Sequence, residues 1–369
     1  MKLLLTTIMC SIGTIFFMNT YAQKLLIGTY THNKLSKGIY IYAFDTTTGK
    51  ASPVSHVNTN NPSFLVADKN NAFVYCVNEE NKNGTVSAFS YNPGNNSLTF
   101  VNSEDSNGSD PCYISLDRTG KWLFVGNYSS GSLTVYPILS DGRIGPRHQF
   151  IQHKGSSINK SRQENAHVHC TYISEDNKTL FVPDLGLDKV IVYPFNAQTG
   201  FLDTKNQSVI SVKPGGGPRH IIFTRKGTFG YLIEELSGSV DVIQKRKDGY
   251  TIIQTVNHLP AEQDGAGADI HLSPDERFLY VSQRSNSTIQ IFSVDPQNGK
   301  LSFIGEQATL GDFPRNFTIH PSGKFLLAAN QKSNDITIFR IDSNTGLLQD
   351  TGARIEVGAP VCLQWIDGH

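Results

Sequence analysis

Apolar and polar residues alternate along this chain in short runs, each too brief for a helix, and the runs return in a fixed order. A first run opens at or near a proline, as in Asn61-Pro62-Ser63-Phe64-Leu65-Val66, Asp110-Pro111-Cys112-Tyr113-Ile114-Ser115, Gly217-Pro218-Arg219-His220-Ile221-Ile222 and Phe313-Pro314-Arg315-Asn316-Phe317-Thr318. A polar turn such as Asp117-Arg118-Thr119-Gly120 or Pro321-Ser322-Gly323-Lys324 follows. Next comes a fully apolar run such as Trp122-Leu123-Phe124-Val125 or Phe278-Leu279-Tyr280-Val281. A second turn leads to a third run, as in Thr288-Ile289-Gln290-Ile291-Phe292, and Leu301-Ser302-Phe303-Ile304 shows the fourth. Continuous apolar runs fit strands covered on both faces, alternating runs fit strands covered on one, and Gly, Asn, Asp and Pro punctuate them. Four short strands per unit, repeated, predict the blades of an all-β propeller.

The repeat can be counted. The position closing the second run falls at Thr29, Asn78, Asn127, Asp184, Glu234, Gln283 and Asn330, with gaps of 49, 49, 57, 50, 49 and 47 residues. Across the join, from Asn330 to the C-terminus and on from Gln23 to Thr29, the gap is 46. Seven units therefore close without remainder. The first unit lacks its own first strand, because Leu25-Leu26-Ile27-Gly28 is already a second-type run. The segment Ala359-Pro360-Val361-Cys362-Leu363-Gln364-Trp365 is the spare. The expectation is one seven-bladed β-propeller over residues 23–369, its ring closed by the C-terminal strand pairing into the first blade. That pairing covers two sheet edges.

Residues 1–22 stand outside the repeat. Lys2 precedes an apolar run from Leu3 to Met18, and Thr20-Tyr21-Ala22 ends in a small residue. This is the pattern of a signal peptide cleaved near Ala22, giving an exported product, periplasmic or secreted. The run falls short of the ~18 residues of a membrane span, and no later segment supplies one. Charge adds an exclusion. Lys and Arg number 32 and Asp and Glu 32, so no basic surface recommends nucleic acid as a partner. Cys76, Cys112, Cys170 and Cys362 are too widely spaced for a zinc pattern and are expected mostly as buried thiols, with one disulfide allowed by export.

In a blade, the start of the first strand and the end of the second meet at one face of the disc. Across the seven units the first position holds Ser63, Cys112, His169, Arg219, Ala268, Arg315 and Val361. The second holds Tyr30, Glu79, Tyr128, Leu185, Glu235, Arg284 and Gln331. Three arginines, a histidine and two glutamates thus converge on one funnel. His167, two residues before His169, falls on the same side of an ideal strand. The cationic excess predicts a small anionic ligand, since arginine binds carboxylate or phosphate through paired hydrogen bonds. His167 and His169 also have the spacing of a metal pair on a strand, but arginines nearby oppose a cation, and neither metal nor cofactor is expected. The chain carries no Gly-x-Ser-x-Gly nucleophile elbow, and Gly215-Gly216-Gly217 precedes a strand, so it reads as a turn. The 57-residue gap owes its length to residues 152–165, which carry Lys154, Lys160 and Arg162. Such a segment sits over the funnel mouth, as a gate or as a passive insertion.

At these positions the sequence resembles the seven-bladed propeller lactonases, which include the bacterial propeller-type 6-phosphogluconolactonases and the fungal carboxymuconate-lactonizing enzymes. The resemblance spans the chain after the leader. It is strongest at Ala166-His167-Val168-His169, Gly217-Pro218-Arg219-His220, Glu234-Glu235-Leu236-Ser237-Gly238-Ser239-Val240, Gln283-Arg284-Ser285, Pro314-Arg315-Asn316-Phe317 and Ala329-Asn330-Gln331-Lys332-Ser333. It implies catalytic roles for His167, His169, Arg219, Glu235 and Arg284. Arg315, Glu79, Tyr128, His220 and Gln331 are the expected substrate-binding residues. It implies cofactor-free opening of a small anionic lactone, with a lactonizing enzyme or a non-catalytic binding propeller displaying Tyr30 and Tyr128 as alternatives. Two positions depart from the family pattern: Glu234 replaces an Asn and Gln283 an Asp. A second carboxylate beside Glu235 is expected to raise its pKa or to alter substrate choice. Oligomeric state, monomer or dimer, is left open.

Overall fold

The computed structural model describes residues 23–259 and 265–366. The expected leader, residues 1–22, lies outside the described residues. Among the described residues the strands form seven four-stranded antiparallel sheets, and the single helical element is a 3-10 turn at Leu185–Leu187. Blades two to seven open with inner strands Leu65–Ala67, Pro111–Leu116, Tyr172–Ile173, Pro218–Phe223, Gly267–Leu272 and Pro314–Ile319. In blade one the inner strand is Pro360–Ile366, paired antiparallel with Gln23–Thr29, so the C-terminus closes the ring as its sequence predicts.

The second strands are the most deeply covered, because each is sandwiched between neighbouring blades. Val74, Leu123, Phe124, Leu232, Leu279 and Leu326 are all buried. One device locks blade to blade. A glycine in the outer turn of one blade adopts φ near +75°, and its missing side chain leaves room for an aromatic of the blade before. At Gly142 an added Cβ would lie 2.1 Å from the Phe73 ring, and at Gly299 2.4 Å from the Phe229 ring. The carbonyls of these glycines accept hydrogen bonds from Tyr75 (3.1 Å) and Tyr231 (3.0 Å). Gly49 of blade one seats Phe325 of blade seven in the same way, so the seam resembles the other joints.

Two backbone features shape the funnel. The residue after each second strand donates its N–H to a carbonyl at the entrance of the inner strand. The bonds are Tyr30 to Ala359, Glu79 to Asn61, Tyr128 to Asp110, Leu185 to His167, Glu235 to Gly217, Arg284 to Ala266 and Gln331 to Phe313. The register then slips between Pro111 and Tyr113, Pro218 and His220, Pro314 and Asn316, and Gly267 and Ile270, with a matching slip opposite Val361. These are β-bulges, which turn one side chain out of the ladder and re-aim it. Proline fits there because a bulged strand start needs no ladder N–H. Cys112, Arg219 and Arg315 occupy the bulged positions.

Candidate active site

The bulges and strand ends surround a cavity of about 430 Å³ at the centre of one face. Tyr30, Glu79, Cys112, Tyr128, His169, Arg219, Glu235, Arg284, Phe313 and Arg315 line it, with Ala266 and Gly265 at the backbone. Every blade contributes. Arg162, from the insertion after blade three, completes the wall.

Glu235 is the centre of the charge pattern. Its Oε2 accepts from Arg219 Nη1 at 2.5 Å and from Arg284 Nη2 at 3.1 Å, and its Oε1 accepts from Arg162 Nη2 at 2.5 Å. Burial alone would raise its pKa, but Arg284, Arg219, His169 and Arg162 together hold it well below the usual carboxylate range. Arg219 is fixed from behind by a 2.8 Å bond from Nε to the Ala268 carbonyl. Arg284 is fixed by bonds to the carbonyls of Ala266 (3.1 Å) and Gly267 (3.2 Å) and lies over the Phe313 ring. Burial, reinforced by Arg219 and Arg315 against the pull of Glu235, brings Arg284 down to about 9, so it remains charged at neutral pH.

His169 Nε2 faces Arg219 Nη1 in a close hydrogen bond. A guanidinium only donates, so this nitrogen is the acceptor and the ring is neutral. Burial first, and Arg219 second, hold its pKa well below the ordinary histidine value. Across the cavity Tyr30 donates to Glu79 Oε2 at 2.9 Å, and Arg315 lies over the Tyr30 ring. Tyr30 is buried, so Tyr30 and Tyr128 form cavity wall and not an exposed aromatic patch.

Three residues expected at the site lie outside the cavity lining. His167 stacks against Tyr128 with ring centroids 4.5 Å apart and bonds the Tyr128 carbonyl through Nδ1 at 3.0 Å. The pairing shifts by one residue between Val168↔Asp184 and Tyr172↔Phe181, which interrupts simple alternation there, and the two imidazoles bond different partners. Among the described residues no three His, Cys, Asp or Glu side chains are grouped as a metal site. His220 lies beneath the cavity floor, where its Nδ1 meets Asp269 at 2.9 Å, and burial brings it down to about 4. Gln331 follows the second strand of blade seven and is half-buried outside the cavity lining.

The two departures from the family pattern also point elsewhere. Glu234 and Gln283 are the last residues of their strands and face the joints between blades. Glu234 accepts from Ser237, and Gln283 donates to the Gly238 carbonyl at 2.8 Å. Burial and neighbouring Asp241 push Glu234 up to about 8. The expected upward effect of Glu234 on Glu235 is absent, because three arginines dominate at Glu235. Among the described residues, Cys76, Cys112, Cys170 and Cys362 are all buried free thiols.

The sequence pattern passed over Arg162 and Phe313 as site residues. Phe313 precedes the blade-seven bulge with φ +65°, a conformation rare for a bulky residue and concentrated at functional sites. The insertion bearing Arg162 is anchored rather than loose. His153 bonds Asp184 (2.7 Å) and the Tyr193 hydroxyl (2.9 Å), and buried Gln163 bonds the Leu185 carbonyl (2.8 Å) and Asp188 (2.7 Å).

Comparison with known proteins agrees with this architecture. A family model described as "Lactonase, 7-bladed beta-propeller" matches residues 24–365. A 6-phosphogluconolactonase of Formosa agariphila is 38% identical over 305 residues, covering 81% of this chain and 86% of the relative. That of Bacillus subtilis is 31% identical, covering 80% and 84%. Among solved structures, a Bacteroides fragilis protein provisionally assigned as a 6-phosphogluconolactonase superposes with TM-score 0.90 at 40% identity, covering 95% of this chain and 99% of the other. The periplasmic gluconolactonase of Pseudomonas aeruginosa superposes with TM-score 0.89 at 34% identity, covering 94% and 99%.

Proposed function

The chain belongs to the seven-bladed β-propeller lactonase family, and from that premise we propose that it hydrolyses a sugar-type, anionic lactone by water attack in the central funnel. Its relatives named 6-phosphogluconolactonase support the hydrolase assignment. The carrying observation is Glu235, an ionised carboxylate at a cavity wall, flanked by two arginines whose backs are fixed to backbone carbonyls.

In this mechanism a water molecule attacks the lactone carbonyl and gives its proton to Glu235. The carbonyl oxygen becomes an oxyanion, which Arg219 and Arg284 stabilise without reorganising, because their guanidinium groups are already held. The bond from the acyl carbon to the ring oxygen then breaks. Glu235 returns the proton to the departing alkoxide, leaving a hydroxy acid. His169, neutral and buried, orients Arg219. Sugar lactones open readily in water, so only a modest lowering of the barrier is asked of these groups.

The leader-like segment ending at Ala22 supports export, and the Pseudomonas relative is itself named as periplasmic. An exported enzyme meets lactones outside the cytoplasm. The test is a panel of sugar and muconate lactones offered to the protein lacking residues 1–22, with product analysis and subtraction of spontaneous hydrolysis. Ring opening of a sugar lactone supports the proposal. Ring closure on an unsaturated dicarboxylate, or no turnover at all, rejects it.

A further inference from the structure

We propose that Arg162 is the specificity residue of the site: it binds a phosphate or carboxylate carried by the substrate away from the lactone carbonyl, and in doing so releases Glu235 to act as base. This rests on the lactonase reading above and adds to it a residue and a means of substrate selection.

The cavity lining holds four arginines against two glutamates, and its one histidine is neutral. A surplus of positive charge focused in a cavity favours an anionic ligand. The four arginines are not equally available. Arg219 and Arg284 are pinned through Nε to backbone carbonyls, and both side chains are almost fully buried. Arg315 is covered by Tyr30. Arg162 differs in each respect. Its side chain is 43% exposed, and its only hydrogen bonds among the described residues run from Nη2, to Glu235 and to the Tyr128 hydroxyl at 3.2 Å. Nη1 and Nε keep the donors needed to grip a tetrahedral or planar anion.

Its support is nevertheless firm. Gln163, the next residue, is fully buried, and its backbone N–H bonds the Asn159 carbonyl at 2.7 Å while its side chain reaches Leu185 and Asp188. Ser157 donates to Asp188 at 2.5 Å. The guanidinium is therefore offered from a fixed base, with freedom confined to the side chain. Such preorganisation lowers the entropic cost of gripping a ligand.

The contact to Glu235 gives the exchange a consequence. With three arginines on one carboxylate, Glu235 is a weak base. Arg162 holds Oε1, the oxygen that neither Arg219 nor Arg284 touches. An anion at the mouth competes for Arg162, frees that oxygen for water and raises the basicity of Glu235. A lactone with no anionic group leaves Arg162 on Glu235. The lactonase thereby distinguishes charged from neutral substrates by more than binding alone.

The test compares three lactones of increasing charge: gluconolactone, a carboxylated glucarolactone and 6-phosphogluconolactone. Wild type, Arg162→Ala, Arg162→Lys and the neighbouring surface variant Lys160→Ala are assayed, each checked by melting temperature. The expected result is a fall of at least ~10-fold in the preference of kcat/KM for charged over neutral lactones in Arg162→Ala, carried by both KM and kcat. Arg162→Lys recovers part of it, and Lys160→Ala retains the wild-type preference. The ratio between the carboxylated and phosphorylated lactones identifies which anion is read. An equal loss on all lactones, or an unaltered preference, overturns the proposal. Should wild type hydrolyse none of them, the lactonase reading fails by itself. Calorimetric binding of 6-phosphogluconate, glucarate and gluconate then decides the Arg162 claim. A preference for the more charged acids that Arg162→Ala abolishes supports it, and equal binding by the two proteins rejects it.

Discussion

Glu234 and Glu235 are adjacent in blade five and both are buried, yet their surroundings differ in sign. Glu234 faces a joint between blades, beside Asp241 and under the Ser237 hydroxyl. Glu235 faces the funnel, where Arg219, Arg284 and Arg162 meet it. Burial disfavours the charged form of both. Only at Glu235 do opposite charges outweigh burial, so one glutamate is held low and the other high. One step along the backbone separates a residue that serves the fold from one that serves the site. The same division runs around the ring. Thr29, Asn78, Asn127, Asp184, Gln283 and Asn330 are buried in the sheets, while the residues after them line the cavity in most blades.

The largest expected effect is on Glu235→Gln, which removes the base but keeps the shape. Lactone hydrolysis above background falls by about 10²–10⁴-fold, measured as kcat, and the melting temperature falls as well, because Arg219 and Arg284 lose their buried counter-charge. Arg219→Ala comes next. Losing an oxyanion donor costs about 10²–10³-fold in kcat, and it also strips His169 and Glu235 of a partner, so a lower melting temperature accompanies the loss. Glu234→Gln leaves turnover within about two-fold, because its side chain never reaches the cavity, and its effect is read in stability.

The sign follows from the raised pKa. Protonated Glu234 contributes its full stability below the ordinary carboxylate range, and the contribution is lost as pH rises through about 8. Between the ordinary carboxylate range and that point wild type loses about 1.4 kcal/mol per pH unit from this one group, and above it the slope vanishes. Glu234→Gln, unable to ionise, shows a flatter denaturation midpoint between about pH 5 and 8. Glu235 behaves oppositely: in the free enzyme its carboxylate is already charged throughout the range above its depressed pKa, so kcat/KM shows no acid limb between about pH 8 and 5. A stability slope that follows Glu235 and not Glu234, or an acid limb near pH 6, would break the contrast.

The sequence carries the ring because the repeat is built from local signals: prolines at strand starts, Gly-containing turns and apolar second strands. The closure is legible in the ends alone, since Leu25-Leu26-Ile27 lacks a partner and Pro360–Ile366 is a strand to spare. The site is legible where a register position suffices, as at Arg219, Glu235 and Arg284. It is illegible where geometry departs from the period. The pairing shifts by one residue between Val168 and Tyr172, and His167 stacks on Tyr128, although alternation places it with His169. Arg162 arrives along an irregular path fixed by His153 and Gln163, which no periodicity encodes. Glu234 misleads for a related reason: chain adjacency suggests an electrostatic partner, but alternate strand positions face opposite ways.

The account is tested most directly by corrected turnover of a sugar lactone by wild type, Glu235→Gln and Glu234→Gln side by side, all lacking residues 1–22. It predicts hydrolysis above the spontaneous rate for wild type and Glu234→Gln, and a collapse to near background for a Glu235→Gln protein that is still folded at the assay temperature. Equal turnover by all three proteins, or a loss confined to Glu234→Gln, would contradict it.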